Sequence, residues 1–184
     1  MSKKIAVIYK TKYGSTKKYA GWIALKLDAD LYEISDIRSK HLDEYETIIF
    51  GGGIYRGKIN GLNFIDQNYN KIKDKNIYIF SVGMESISEN RKESLIKNNF
   101  KNIEEKNVGF YNFKGGLDYS SLSFIDKIMM KALKSMIDKK TKSDLTEDDK
   151  VVLRGFEEKI DLTDKKSIKE LIDKINAYKS ANDN

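Results

Sequence analysis

The chain has 184 residues, of which 40% are hydrophobic and 34% are charged, a composition typical of one folded domain. It has no cysteine and one histidine, which excludes disulfides, thiolate metal sites, iron–sulfur clusters and multi-histidine metal centres. The net charge of +6 comes from 34 basic and 28 acidic residues interleaved along the chain, which argues against a nucleic-acid partner. Any redox chemistry must therefore use a bound organic cofactor.

Five apolar segments are typical of strands in a parallel sheet. The first, IAVIY at residues 5–9, is a continuous apolar run, as expected for a strand covered on both faces. The other predicted strands span residues 31–34, 47–50, 76–82 and 108–113. Helical spacing of apolar residues follows at 16–27, 89–98 and 167–178, the last capped by Thr163 or Asp164. The alternation predicts an α/β domain, residues 1–184, with a parallel sheet and helices on both faces.

A segment of about residues 118–158 exceeds what a five-strand fold of this kind needs, so we interpret it as an insertion. Apolar spacing over residues 122–137 and 146–156 predicts that it is mostly helical. Thr146 and Asp149 resemble a capping box at the start of the second helix. The first helix carries an apolar stripe flanked by lysines, formed by Leu122, Ile125, Met129, Leu133 and Met136. Such a stripe packs on the sheet domain, on a second subunit or on an anionic membrane surface, or it covers a hydrophobic substrate site.

The loop after the first strand contains the parts of an anion-binding cradle. It leads directly into a helix, so free backbone N–H groups are expected at its end. Gly14 permits close approach of a ligand, three hydroxyl groups can donate hydrogen bonds, and Lys12 adds positive charge. A simple helix cap at Ser15 or Thr16 is the alternative. We favour phosphate binding by Thr11, Lys12, Tyr13, Gly14, Ser15 and Thr16.

Glycine-rich loops after the third and fourth strands are expected beside this cradle, because the carboxyl ends of parallel strands share one edge of the sheet. We interpret residues 51–57, GGGIYRG, as a loop that begins where the third strand ends. Its glycines allow a flat ligand to approach the backbone, and Ile54 and Tyr55 can contact an aromatic ring. Ser81, Val82 and Gly83, where the fourth strand ends, can line the same pocket.

These loops resemble those of the flavodoxin-like family, whose phosphate loop is similar to TKYGST at residues 11–16. The branch of bacterial menaquinone-dependent protoporphyrinogen dehydrogenases is similar in two further places. One is the loop at residues 51–57, and the other is the segment that leads from the fifth strand into the insertion, with FKGGLDY at residues 113–119 and FIDKIM at residues 124–129. The resemblance implies a three-layer fold with strand order 2-1-3-4-5 and FMN as the cofactor. It implies that the phosphate lies on residues 11–16, and that the ribityl chain and ring lie against Gly52, Gly53, Ile54, Tyr55, Arg56, Gly57, Ser81, Val82 and Gly83.

Two functions are open on this basis. One is a flavoenzyme related to protoporphyrinogen dehydrogenase, with a porphyrinogen substrate and a quinone acceptor. In this enzyme Arg56 attracts a substrate carboxylate; the alternative is that Arg56 is a solvated loop residue. The other is an electron carrier that serves redox partners and has no substrate of its own. The basic charge and the amphipathic insertion favour the enzyme. We expect a cytoplasmic protein, either free or peripheral to the inner face of the membrane. We also expect no metal site and no catalytic side chain, because the flavin itself carries the redox chemistry.

Overall fold

The computed structural model describes residues 4–85 and 87–182. Its strands in chain order are β1 (Ile5–Lys10), β2 (Asp30–Glu33), β3 (Thr47–Tyr55), β4 (Lys58–Ile59), β5 (Asn76–Gly83), β6 (Val108–Lys114), β7 (Gly116–Leu117) and β8 (Ile160–Asp161). Its helices are α1 (Ser15–Leu27), α2 (Asn63–Ile72), α3 (Glu89–Asn99), α4 (Phe124–Ile137), α5 (Glu147–Arg154) and α6 (Lys169–Asn182). Short 3-10 turns lie at Ser39–Glu44, Glu105–Asn107, Tyr119–Ser121 and Lys165–Ile168.

The central sheet has the order β2-β1-β3-β5-β6, and all of these neighbours are parallel. Counted among the parallel strands alone, this is the predicted order 2-1-3-4-5. The two-residue β4 pairs antiparallel with the end of β3 and was not predicted. The predicted fold class, a parallel sheet with helices on both faces, is confirmed.

Apolar residues on the two faces of the sheet form two separate cores. The first core packs α1 and α6 against one face through Tyr19, Ile23, Leu171 and Ile175. The second packs α2 and α3 against the other face through Ile65, Tyr69, Ile72 and Leu95. Strand β1 contributes alternate residues to both cores, which explains its continuous apolar run. The helix α2 was not predicted, although Leu62, Ile65, Tyr69 and Ile72 have helical spacing.

The prediction that the third strand ends at Phe50 was wrong, because β3 continues through the glycines to Tyr55. Neighbouring groups occupy the space where side chains would lie. A Cβ at Gly51 would come within 2.0 Å of the Phe80 ring, and one at Gly52 within 2.5 Å of the Asn60 carbonyl oxygen. The glycines therefore permit close packing inside a strand and do not end it.

The predicted insertion is helical and contains α4 and α5. The capping box at Thr146 and Asp149 is confirmed, since the Thr146 hydroxyl accepts from the Asp149 N–H at 3.1 Å and the Asp149 carboxylate accepts from the Thr146 N–H at 2.8 Å. The antiparallel pair β7–β8 joins the two ends of the insertion. Before the last helix, the predicted cap Asp164 accepts from the Lys166 N–H and caps the 3-10 turn at Lys165–Ile168. Across residues 4–85 and 87–182, no helix combines the length and apolarity required to cross a bilayer.

A buried carboxylate ties α2 to the chain that precedes β6. Asp66 accepts from the backbone N–H groups of Lys101, Asn102 and Ile103 at 2.9, 2.8 and 3.2 Å, and from the Asn102 side chain at 2.9 Å. Burial alone would raise the pKa of Asp66, but these hydrogen bonds outweigh it and hold the pKa below its usual value. The ionised carboxylate is thus the form that the fold stabilises.

We expect Asp66→Asn to lower the free energy of unfolding by about 2 kcal/mol at pH 7, because an amide offers one acceptor oxygen and buried donors lose partners. Because the pKa of Asp66 is lowered in the folded state, its carboxylate stabilises the fold fully above the unfolded pKa of about 4. This stabilisation is lost as the pH falls below about 4 and through the lower pKa of the folded state. Urea unfolding at pH 7 and pH 3 would measure both effects. The exposed control Asp74→Asn should change neither value, and an equal loss at pH 3 and pH 7 would contradict the assignment.

Candidate functional site

A cavity of about 200 Å³ opens at the carboxyl edge of the sheet, where the ends of β1, β3, β5 and β6 meet. This edge is the switch point of the strand order, since β1 pairs with β2 on one side and β3 on the other. Ten predicted residues line the cavity, namely Thr11, Tyr13, Ser15, Thr16, Gly53, Ile54, Tyr55, Arg56, Val82 and Gly83.

One wall of the cavity is the start of α1, which lacks a side-chain cap among the described residues. Gly14 occupies the N-cap position with φ of 96°, a left-handed conformation that favours glycine. The backbone N–H groups of the first helical turn have no partner within the helix, and the helix dipole adds partial positive charge there. The start of α1 therefore suits an anion.

The hydroxyl groups of the 11–16 loop are held in place by backbone donors. Thr11 Oγ1 accepts from the Gly14 N–H at 3.0 Å, and Ser15 Oγ accepts from the Gly116 N–H at 3.1 Å. A hydroxyl that accepts a hydrogen bond still has its own proton to donate. Thr11 and Ser15 can therefore each donate to an anion in the cavity, and Thr16 is buried behind them.

Five predicted residues do not line this cavity. The side chain of Lys12 forms an ion pair with Asp126, and Gly14 contributes only its backbone at the helix start. Gly52 lies in the sheet, and Gly57 lines a neighbouring cavity. Ser81 is fully buried and donates to Asn112 Oδ1 at 2.8 Å, so it links β5 to β6.

The insertion supplies the opposite wall, through residues that the sequence did not single out for the cofactor. Asp126 of α4 accepts hydrogen bonds from Lys12 Nζ and the Tyr13 hydroxyl. The bond from Lys12, followed by that from Tyr13, holds the pKa of Asp126 below its usual value. The other unpredicted lining residues are Met84, Gly115, Gly116, Leu117, Asp118, Leu122, Met129 and Met130.

Aromatic rings lie where this wall meets the 11–16 loop. The Tyr13 and Tyr55 ring centroids are 6.3 Å apart with an edge-on geometry, and Lys12 Nζ lies 5.4 Å from each centroid. Burial raises the pKa of Tyr55 to about 12, so this phenol is neutral at physiological pH. The lysine charge is therefore shared between two ring faces and the Asp126 carboxylate.

A second, larger cavity of about 530 Å³ shares Ile54, Arg56, Gly83, Met84, Met129 and Met130 with the first. Its other walls are largely apolar and come from α3, α4 and α5, through Leu95, Leu133 and Val152. Arg91 also lines it and forms an ion pair with Glu85. The two cavities together form a pocket with one polar end and one apolar end.

Arg56 stands at the junction of the two cavities, in a strained turn. Arg56 and Gly57 connect β3 to β4 with φ of 53° and 70°, so both central residues of this hairpin turn are left-handed. A left-handed conformation costs about 1–2 kcal/mol for a residue with a Cβ. The Arg56 Nε also lies 2.8 Å from the sulfur of Met129, which connects this turn to α4.

We expect Arg56→Gly to raise the free energy of unfolding by about 1 kcal/mol, because glycine relieves the left-handed strain. Urea unfolding would measure the change. Asp28→Gly provides a matched control, since Asp28 also has a left-handed φ of 50° but lies at the end of α1, outside both cavities. A loss of stability in Arg56→Gly alone would mean that the contact with Met129 outweighs the strain.

A family model for the flavodoxin domain matches residues 6–144. An uncharacterized protein of Methanocaldococcus jannaschii is 34% identical over 79 residues, which are 42% of this chain and 53% of that protein. The chain thus spans about half the length of this relative.

Two solved flavodoxins are similar to the chain. A flavodoxin from the domain Archaea is 15% identical, with a TM-score of 0.43 over 83% of this chain and 99% of that one. The two-electron reduced flavodoxin of Megasphaera elsdenii is 13% identical, with a TM-score of 0.41 over 59% and 84% of the two chains. The family model covers well over half of the chain, from β1 to the segment that follows α4. The chain belongs to the flavodoxin domain family.

Proposed function

We propose that the protein is an FMN-dependent oxidoreductase that uses the cavity at the β1 and β3 ends for the cofactor. FMN is the cofactor of the flavodoxin fold, which holds it at this switch point, in agreement with the sequence prediction. The observation that carries the proposal is the uncapped start of α1 inside the cavity, beside the hydroxyl groups of Thr11 and Ser15.

The residues that line the cavity fit the two ends of FMN. The phosphate would accept from the first N–H groups of α1 and from the hydroxyls of Thr11 and Ser15, at the polar end. The ring would lie against the backbone of Gly53 and Gly83 and the side chain of Tyr55. When bound, FMN supplies the transfer of one or two electrons, and the chain binds it, orients it and excludes water from it.

The second cavity favours an enzyme over a carrier. A carrier needs only an exposed edge of its cofactor to reach a redox partner, whereas this chain places an apolar cavity of about 530 Å³ beside the proposed ring site. Such a cavity suits an organic substrate. The electron carrier without a substrate is the second candidate, because membership of the flavodoxin domain family gives the fold and one fold can serve either function.

For the substrate, we propose a large apolar molecule with carboxylate groups, of which protoporphyrinogen is the specific candidate, with a quinone as electron acceptor. The apolar walls of the second cavity and the position of Arg56 support this choice. Arg91 contributes less charge to a substrate, since Glu85 already pairs with it. The arginine at the junction would orient one carboxylate while the apolar part occupies the cavity.

We expect Ser15→Asp to weaken FMN binding about 100-fold, because a carboxylate at the start of α1 repels the phosphate inside the cavity. Quenching of FMN fluorescence on binding to the apoprotein would measure the dissociation constant. The matched control is Lys17→Glu, which changes charge on the exposed side of the same helix and should alter binding less than threefold. Equal losses in both variants would contradict a phosphate site at Ser15.

Stepwise anaerobic reduction of the FMN-loaded protein would separate the enzyme from the carrier. An enzyme of the proposed class should take up two electrons in a single step, whereas a carrier should take them up in two well-separated steps. Oxidation of protoporphyrinogen with a soluble menaquinone analogue would then test the specific substrate, and Arg56→Gly should raise its KM about tenfold. FMN binding without any turnover would leave the carrier as the function.

A further inference from the structure

The outward side of α4 exposes an unusual set of large apolar side chains. Phe124, Ile125, Ile128 and Met136 are 78%, 58%, 52% and 67% exposed, and we call these four residues the outer α4 face. At 100° per residue they lie within about one third of the helix circumference. The opposite side of the same helix is covered, since Ile137 is buried and Met129 and Met130 line the cavities. The outer α4 face is therefore a contiguous apolar surface on a helix that is already packed from behind.

Positive charge surrounds this face. Residues 124–142 contain six lysines and two aspartates, a net charge of +4 within a chain of net charge +6. Lys127 and Lys131 flank the face on one side, and Lys139 follows its carboxyl end, whereas Lys140 is paired with Asp149. Asp126 is directed into the cavity and pairs with Lys12, so its charge does not offset these lysines. An apolar face bordered by lysines is the pattern of a helix that lies in the plane of an anionic membrane.

We propose that the outer α4 face docks on the surface of an anionic lipid bilayer. The apolar side chains would enter the boundary between headgroups and acyl chains, while the flanking lysines contact the headgroups. With 14 residues, α4 is about 21 Å long, too short to cross the roughly 30 Å hydrocarbon core. The helix therefore lies on the membrane and does not span it.

Charge favours a lipid surface over a second copy of the chain. A two-fold interface through this face would place α4 against α4 and bring together two segments of net charge +4. Like charges at such short distance destabilise the pair, whereas anionic headgroups attract each lysine. An anionic bilayer is thus the partner whose chemistry matches both the apolar and the charged parts of the surface.

Docking would also place the cavities close to the lipid. The inward residues Met129, Met130 and Leu133 line the cavities, so only the thickness of one helix, about 10 Å, separates them from the outer α4 face. An apolar molecule dissolved in the bilayer would then be concentrated near the cavity. The docking itself depends on the surface of α4 and not on bound cofactor.

Co-sedimentation with vesicles would test this directly, with and without added FMN. Vesicles of 30% phosphatidylglycerol in phosphatidylcholine should bind the protein at least tenfold more tightly than pure phosphatidylcholine vesicles. Ile128→Asp should weaken binding about tenfold, and Lys131→Gln about fivefold. The matched controls on α1 are Leu25→Asp and Lys26→Gln, since Leu25 is 75% exposed and Lys26 is also exposed; neither should change binding more than twofold.

Circular dichroism would verify that each variant folds, as expected for substitutions at exposed positions. The proposal is overturned if the wild type does not distinguish anionic from neutral vesicles, or if Ile128→Asp binds as the wild type does. It is also overturned if sedimentation velocity finds a wild-type dimer that Ile128→Asp dissociates, since the face would then belong to a second copy. We expect equal vesicle binding with and without FMN, because docking uses only the surface of α4. A failure of the proposed redox function would therefore leave this result unchanged.

Discussion

The parallel pairing of β1 with β2 on one side and β3 on the other is the constraint on which the rest of the structure depends. The connection from β1 places α1 on one face of the sheet, and the connection from β3 places α2 on the other. Because the two connections leave on opposite faces, neither α1 nor α2 covers the strand ends between them. The cavity, the uncapped start of α1 and the glycines of β3 all meet at this opening.

The site combines the carboxyl edge of the central sheet with a wall that belongs to the insertion. The sheet edge provides backbone donors and hydroxyls, while α4 provides Asp126, Met129 and Met130. The Asp126 carboxylate faces the same loop that would hold a phosphate, and Lys12 balances its charge. The insertion thus changes the electrostatics of the polar end and adds much of the apolar end, so a substrate of the proposed kind would be selected largely by residues outside the central sheet.

Much of this arrangement follows from the sequence, and the exceptions have physical reasons. Continuous apolar runs and helical spacing predicted the five parallel strands, α1, α3 and α4, and local capping chemistry predicted the start of α5. Gly51 was interpreted as the end of a strand because the contact that requires it, the Phe80 ring, lies on another strand. Ser81 was predicted to contact the cofactor because its hydroxyl can donate a hydrogen bond. In the structure that hydroxyl donates to Asn112, a partner that is set by the register between β5 and β6. The inward direction of Asp126 likewise depends on how α4 packs, which helical spacing alone does not specify.

The two-residue ladder β7–β8 has a consequence for how this chain can vary. Gly116 pairs with Asp161 and Leu117 with Ile160, so the segment 118–159 leaves the domain and returns to it at neighbouring positions. The Leu162 N–H donates to the Gly115 carbonyl at 3.1 Å, which secures the same junction on the side of the sheet. A segment whose ends are already adjacent can be lengthened, shortened or exchanged without moving the strands on either side. The helices above the cavity are therefore a replaceable module, and related chains could change the shape and charge of the outer cavity wall through this one segment while the sheet stays as it is.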